Sequence, residues 1–363
     1  MQQDAPASAP SRIVVRSPNW LGDAVMSLPF LRDLRRRFPS AQLAVATPAA
    51  LEAFYRAVPG VNEVLEFRVG AGGSRWRDIE EHAAILRAGR FDVGILLPNS
   101  FGSALALWRA GIPERWGYRA GWRGWFLTRG VRRPRSRSEP LHQAQYYLEL
   151  ARALGADVQG LDVQVPVPEE SRERALGILM EAGYDPSRAA LVGMAPGAAY
   201  GGAKRWPTDR LAQVIERLTA SGDNVCLLLG SPGDRATARA VDEGLAARVG
   251  VVAPATGEPP RIINFVGRTD LAALMGMLSH CRVVVSNDSG AMHLAAAIGR
   301  PVVATFGPTD ERVTAPLGRH KVLQHPVRCR PCLLRECPID HRCMKGISSV
   351  MVCEAVEEFL RAS

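Results

Sequence analysis

Short runs of β-branched and other apolar residues recur along this chain, each breaking into small or polar residues and then into a helical pattern. Arg12-Ile-Val-Val-Arg, Gln42-Leu-Ala-Val-Ala-Thr, Val64-Leu-Glu-Phe and Arg90-Phe-Asp-Val-Gly-Ile-Leu-Leu come first. Apolar runs of this length read as strands buried on both faces, and their alternation with helices indicates a parallel sheet covered by helices. Near Val163 the pattern breaks into Val-Gln-Val-Pro-Val-Pro-Glu-Glu, whose prolines favour extended backbone. It then restarts with Ala190-Leu-Val-Gly-Met, Asn224-Val-Cys-Leu-Leu-Leu-Gly, Asn264-Phe-Val-Gly, Val283-Val-Val-Ser and Pro301-Val-Val-Ala-Thr-Phe. The expected fold class is therefore α/β, with two Rossmann-like doubly wound domains facing across a cleft. The expected boundaries are a disordered tail over 1–11, a first domain over 12–166, a linker at 167–171 and a second domain over 172–346. An amphipathic helix within 347–363 is expected to pack back on the first domain. Ligands of such sheets sit outside the carboxyl ends of the strands, so the loops there are where chemistry is sought.

Composition narrows the choice of partner. With 363 residues, 47% hydrophobic and 22% charged, the chain is globular and long enough for two domains. No apolar run approaches the roughly 18–20 residues that span a bilayer. The first eleven residues lack the basic start and apolar centre of a secretory signal, so the expected location is the cytoplasm. The net charge is +9, and residues 1–165 hold 22 arginines against 15 Asp and Glu. That excess suits phosphates, whether of nucleic acid, a membrane surface or an anionic lipid.

Three loops stand out. Ser286-Asn-Asp-Ser-Gly-Ala-Met-His293 follows a β-branched run and leads into Leu294-Ala-Ala-Ala-Ile. A helix beginning there offers unpaired N–H groups and a favourable dipole to an anion, and Asp288, Ser289 and His293 add directional hydrogen bonds beside Gly290. Met194-Ala-Pro-Gly-Ala-Ala-Tyr-Gly-Gly-Ala-Lys204-Arg-Trp-Pro also joins a strand to a helix; its glycines let backbone crowd a diphosphate and Lys204 supplies charge. It lacks the Walker A spacing. Ser17-Pro-Asn-Trp-Leu-Gly-Asp23 ends the first strand, where Asp23 is either a helix cap or a carboxylate able to accept a proton from a sugar hydroxyl. It has no G-x-G-x-x-G spacing, which argues against a nicotinamide enzyme.

Weaker signals accompany these. Asp234, at another strand end, is either a turn residue or a ribose ligand. His82, His142, His280, His320 and His325 make no metal-ligand spacing. Cys329, Cys332, Cys337 and Cys343 cluster around His341, which leaves a structural zinc or free thiols open. Trp108 to Phe126 interleaves aromatics with arginines, a pattern suited to a membrane interface, to single-stranded nucleic acid, or to an irregular core segment with snorkelling arginines.

Taken together, Leu21-Gly-Asp-Ala-Val-x-Ser-Leu-Pro, Gly197-x-x-x-Gly-x-Ala-Lys204-Arg-Trp-Pro and Asn287-Asp-Ser-Gly-Ala-Met-His293 resemble the ADP-heptose:lipopolysaccharide heptosyltransferases. These are inverting GT-B glycosyltransferases, and the resemblance runs from Arg16 to about Val352. The Pro18-Asn-Trp-Leu-Gly-Asp loop and the late cysteines are most like heptosyltransferase II, the branch that adds the second inner-core heptose. The resemblance implies Asp23 as general base. It implies Lys204, Asp288, Ser289, Gly290 and His293 around ADP-heptose, with Asp234 near the ribose and Thr269 near the adenine. Where some relatives carry paired threonines, this chain has Ala199 and Tyr200, so Tyr200 or backbone N–H groups would meet the phosphates. Asn19, Trp20, Arg119 and Arg123 are the candidates for a lipid A-linked core oligosaccharide acceptor at the inner face of the cytoplasmic membrane. No cofactor is required for the chemistry. A divalent cation is compatible with it, although no Asp-x-Asp pair demands one. The alternatives are transfer of the first or third heptose and a non-enzymatic nucleic-acid binder; nucleic acid is not the expected partner.

Overall fold

The computed structural model describes residues 9–68, 75–134, 139–162, 164–249 and 260–362. The tail expected over 1–11 falls outside these as far as residue 8, as do Val163 and residues 135–137 of the arginine-rich loop. Ser11 is no loose end: its N–H and hydroxyl both donate to Asp92 Oδ2, at 2.8 and 2.7 Å. The chain forms two compact units, residues 1–163 and 164–363.

The first unit carries strands β1 (Arg12–Arg16), β2 (Gln42–Pro48), β3 (Glu63–Phe67), β4 (Val93–Leu96), β5 (Glu114–Tyr118) and β6 (Arg129–Val131). They form one sheet in the order β3-β2-β1-β4-β5-β6, every pairing parallel. Val14 lies opposite Ala44 on one side and Gly94 on the other, and Ile13, Val14 and Val15 are fully buried. Their burial is why this run reads as continuous apolar sequence.

The second unit carries β7 (Ala190–Ala195), β8 (Asn224–Leu228), β9 (Ile262–Asn264), β10 (Val283–Asn287), β11 (Val302–Phe306) and β12 (His320–Gln324). Their order is β12-β11-β10-β7-β8-β9, again parallel throughout. Counted from its own first strand, this is the same 3-2-1-4-5-6 winding as in the first unit. Each sheet therefore reverses direction at one place, beside β1 and β4 in one and beside β7 and β10 in the other. The crevice at such a reversal is where doubly wound sheets hold ligands.

Several expectations are corrected. After the first strand the sequence pattern reads as one helix over about 24–38; the structure has two, Leu21–Met26 and Leu28–Arg37. Pro29 has no N–H to continue the ladder, and Ser27 Oγ bonds back to Ala24 O at 2.7 Å. The stretch expected as linker is built into the second unit: Val165 is buried, its N–H donates to Ala297 O at 2.9 Å, and a helix already starts at Glu169. The last helix, Ser349–Arg361, buries Val352, Cys353, Ala355, Val356 and Phe359 in the core of the second unit, against helix Thr208–Leu218 and β10 to β12. Its apolar stripe, expected to pack back on the first domain, is buried there. No helix of the described residues is long and apolar enough to cross a membrane.

Candidate active site

In the first unit β1 delivers the chain into Ser17–Trp20, pinned by Ser17 Oγ donating to Thr47 Oγ1 at 2.9 Å. The helix begins at Leu21, three residues earlier than expected, so Asp23 lies in its first turn and is half-buried. The capping position belongs to Trp20, so Asp23 is not the N-cap. Two buried phenols sense its charge. Burial, then Asp23, raises the Tyr147 hydroxyl well above its ordinary pKa. Burial raises Tyr55 to about 12, with a small further push from Asp23. Both phenols therefore stay protonated beside the carboxylate. Neither was singled out from sequence, where a tyrosine in a helix reads as core.

Arg16 closes the other side of this loop. Its guanidinium stacks over the Phe67 ring at 4.1 Å, donates to Ser17 O, and donates to Asn19 Oδ1 at 2.7 Å. Burial lowers its pKa to about 10, which still leaves it cationic at neutral pH. Asn19 is exposed but its carbonyl is engaged by Arg16, and Trp20 is 62% exposed. Arg119 is exposed, its side chain running across Gly130. Arg123 is the exception among the expected acceptor contacts. It is buried, donating from Nε to Tyr118 O at 2.8 Å and from Nη1 to Pro98 O, so it ties together the ends of β4 and β5. An arginine spent on main-chain carbonyls under the surface holds the fold and does not meet a soluble ligand directly.

The second unit brings most of its expected residues together at its own reversal. Lys204 follows β7 and Asp288 follows β10, and Lys204 Nζ meets Asp288 Oδ2 at 2.5 Å with both side chains largely buried. The same oxygen accepts Thr309 Oγ1 at 2.7 Å. Asp288 takes one of three ammonium protons and thereby aims the rest. The Tyr200 ring lies 4.9 Å under Nζ, while its hydroxyl donates to Leu333 O at 2.7 Å. Tyr200 thus positions the lysine through its face, and its proton is not directed at a phosphate as expected. Asn287 locks the arrangement from beneath: its amide donates to Pro196 O at 2.6 Å, and its carbonyl accepts Trp206 N and Thr305 Oγ1. Ser289 precedes helix Gly290–Ala297, its hydroxyl 3.0 Å from Ser286 Oγ, and His293 is buried in the first turn.

Asp234 and Thr269 sit on neighbouring strand ends. Asp234 is buried, and its Oδ2 accepts the Ser231 N–H and hydroxyl at 3.0 and 2.6 Å, a reciprocal helix cap. Oδ1 faces Arg205 at 3.7 Å. Half-buried Thr269 follows β9 in a loop joined to the Asp234 loop by Gly267 N donating to Gly230 O at 2.9 Å.

A cysteine-bearing strap braces the lysine loop. Ala203 N donates to Arg335 O at 2.9 Å, Gly202 N donates to Glu336 Oε1 at 3.0 Å, and His341 Nε2 lies 2.6 Å from Ala203 O. A Cβ at Gly201 or Gly202 would collide with Arg335 O or the Glu336 carboxylate, which is why two glycines precede the lysine. Arg330 holds the opposite side by donating to Gly307 O and Thr309 O and pairing with Glu311 at 2.6 Å. All seven cysteines are free: Cys329 is exposed, Cys332 and Cys337 half-buried and Cys343 buried. Among the described residues no group of three or more His, Cys, Asp or Glu side chains is arranged to hold a metal ion.

In each unit polar side chains stand at the loops of the strand-order reversal, Asp23 in one and the Lys204–Asp288 pair in the other, and sheets wound in this way form the doubly wound α/β class that binds ligands at those loops. Residues 79–342 match glycosyltransferase family 9 (heptosyltransferase), and the chain belongs to this family. It is 34% identical over 319 residues to lipopolysaccharide heptosyltransferase 2 of Escherichia coli K12, covering 85% of this chain and 86% of that one. Lipooligosaccharide heptosyltransferase 2 of Haemophilus ducreyi is 30% identical over 323 residues, covering 86% and 88%. The solved structure of E. coli ADP-heptose lps heptosyltransferase II is similar with a TM-score of 0.77 and 28% identity, over 97% of this chain and 99% of that one.

Proposed function

We propose that this glycosyltransferase moves L-glycero-D-manno-heptose from ADP-heptose to heptosyl-Kdo2-lipid A, with inversion, at the cytoplasmic face of the inner membrane. The observation that carries the reading is the Lys204–Asp288–Thr309 cluster at the reversal of the second sheet. The similarity to heptosyltransferases 2 over some 85% of the chain supports the choice of donor and acceptor.

In this mechanism the acceptor hydroxyl attacks the anomeric carbon opposite its bond to the β-phosphate. The hydroxyl proton passes to Asp23, the carbon–oxygen bond to the diphosphate breaks, and ADP leaves. Lys204 and the first N–H groups of helix Gly290–Ala297 receive the charge that develops on the diphosphate, and such fixed donors lower that barrier most. A single displacement needs one base and one stabilised leaving group, so neither a covalent intermediate nor a cofactor is required. Part of the arginine–aromatic segment is structural, because Trp116 and Tyr118 are buried in β5 and Arg115 donates to the carbonyls of Ile112, Pro113 and Phe126, so it offers the nucleic-acid reading fewer stacking groups than its sequence suggests.

Mass spectrometry of acceptors truncated at successive core sugars, incubated with ADP-heptose, tests the reading. A gain of one heptose on the acceptor that already bears the first is expected; no gain on any acceptor rejects it. Asp23→Asn should lower turnover about 10²–10⁴-fold while ADP binding persists; unchanged turnover would remove the base role.

A further inference from the structure

The first unit presents two exposed indoles that take no part in the proposed transfer. After β5 the chain makes a 3-10 turn over Gly121–Phe126. In such a turn residues three apart eclipse one another, so Trp122 and Trp125 share one face and Arg123 and Phe126 the other. The burial follows that division. Arg123 is buried and bonded to Tyr118 O and Pro98 O, whereas Trp122 and Trp125 are 80% and 85% exposed. Phe126 rests against Phe101 at 5.3 Å and Trp108 at 5.6 Å, themselves 47% and 49% exposed. Two indoles are thus held outward on an anchored turn, with a partly exposed aromatic base beneath them.

The charge around them has one sign. From Arg115 to Ser138 the chain holds eight arginines and no Asp or Glu. Arg119, Arg132 and Arg133 are exposed, and none has an ion pair among the described residues. Indoles favour the headgroup level of a bilayer, where the ring is sheltered and the N–H stays wet. Arginines beside them attract acidic headgroups.

We infer that Trp122 and Trp125, with the exposed Arg119, Arg132 and Arg133 of the flanking sequence, dock this unit on an anionic phospholipid surface. The inference deepens the reading that the acceptor is lipid-linked, by naming the face that brings the enzyme to it. The occupant is a bilayer because the patch pairs exposed indoles with unopposed positive charge. A second copy of the chain would bring the same positive charge against itself.

Flotation of the full chain with phosphatidylethanolamine–phosphatidylglycerol vesicles at low salt tests this, with phosphatidylcholine vesicles as the neutral comparison. The parent should float with the anionic vesicles and far less with the neutral ones, and added salt should weaken the binding. W122S/W125S should lose about tenfold or more in vesicle affinity, the scale set by one to two residues at an interface. Its melting temperature should not move, since both side chains are exposed. Equal flotation of parent and variant, or no flotation of the parent, overturns the proposal. So does a parent dimer that the variant abolishes without any lipid dependence, or oligonucleotide binding that the variant loses instead. Turnover with a deacylated, water-soluble acceptor separates the two readings. The variant should match the parent there; if neither releases ADP the catalytic reading fails, while flotation still decides the docking.

Discussion

Lys204 is set by three neighbours of different kinds: the Asp288 carboxylate, the Tyr200 ring and the turn at Gly201 and Gly202. Lys204→Ala should lower kcat/KM about 10²–10³-fold and weaken ADP binding, read by steady-state ADP release and calorimetry. Another single residue carries a pH signature. Asp92 accepts hydrogen bonds from the Ser11 hydroxyl and the N–H groups of Arg12 and Ser11, which hold its pKa below the ordinary carboxylate value. A lowered folded-state value stabilises the fold above the unfolded carboxylate range, and the contribution disappears as pH falls through the folded value. Asp92→Asn should therefore cost a few degrees of melting temperature at pH 7, about 2–5 °C, with the gap closing in strong acid. At this scale the sequence made Lys204 and Asp288 legible as charged residues at strand ends, and the structure brings the two together. Arg123 was misassigned for a physical reason: an arginine among tryptophans and glycines looks solvent-facing until its carbonyl partners, four or more residues away, are known.

Among elements, the strap over Leu333 to His341 braces the lysine loop. It touches the lysine loop through two of its own carbonyl oxygens, those of Leu333 and Arg335, and through two side chains, Glu336 Oε1 and His341 Nε2. Main-chain acceptors leave no mark on residue type, so that half of the brace was invisible in the sequence. His341→Ala removes a contact to the carbonyl just before Lys204. It should raise the KM for ADP-heptose several-fold with a smaller change in kcat, and cost about 1–2 kcal/mol of stability in a denaturant titration. An unchanged KM would show that the strap only covers the loop. Strand visibility followed the same logic. β1, β2, β7, β8, β10 and β11 are runs of Val, Ile, Leu and Ala buried by neighbours on both faces. β5 reads Glu-Arg-Trp-Gly-Tyr, and β12 begins His-Lys, so neither shows an apolar run although β5 pairs with both β4 and β6 and β12 closes one edge of its sheet.

For the molecule as a whole, the donor-side residues Lys204, Asp288, Ser289, Gly290 and His293 all lie in the second unit, with its own core and its own complete sheet. Residues 164–363 produced alone should fold cooperatively and bind ADP within about tenfold of the full chain, since the Lys204–Asp288–Thr309 cluster lies wholly within them. Calorimetry and circular dichroism would decide; an unfolded fragment would show that the second core depends on the first. The two-sheet organisation was legible from the alternation of strand and helix, since that pattern depends only on burial. The boundary was less so: Pro-spaced residues after Val163 read as a tether, yet Val165 is hydrogen-bonded into the second unit.

Both units wind their six strands in the same order, yet they furnish the crevice at the reversal differently. One received a lysine under a glycine turn; the other received a carboxylate among phenols, with tryptophans and arginines farther along its rim. Because the winding itself is indifferent to these furnishings, a descendant lineage can rewrite the loops of one half, and so accept a new sugar chain, while the half that grips the nucleotide is inherited intact. Diversification of outer-surface glycans then demands only loop substitutions on a conserved frame, not the invention of a second enzyme.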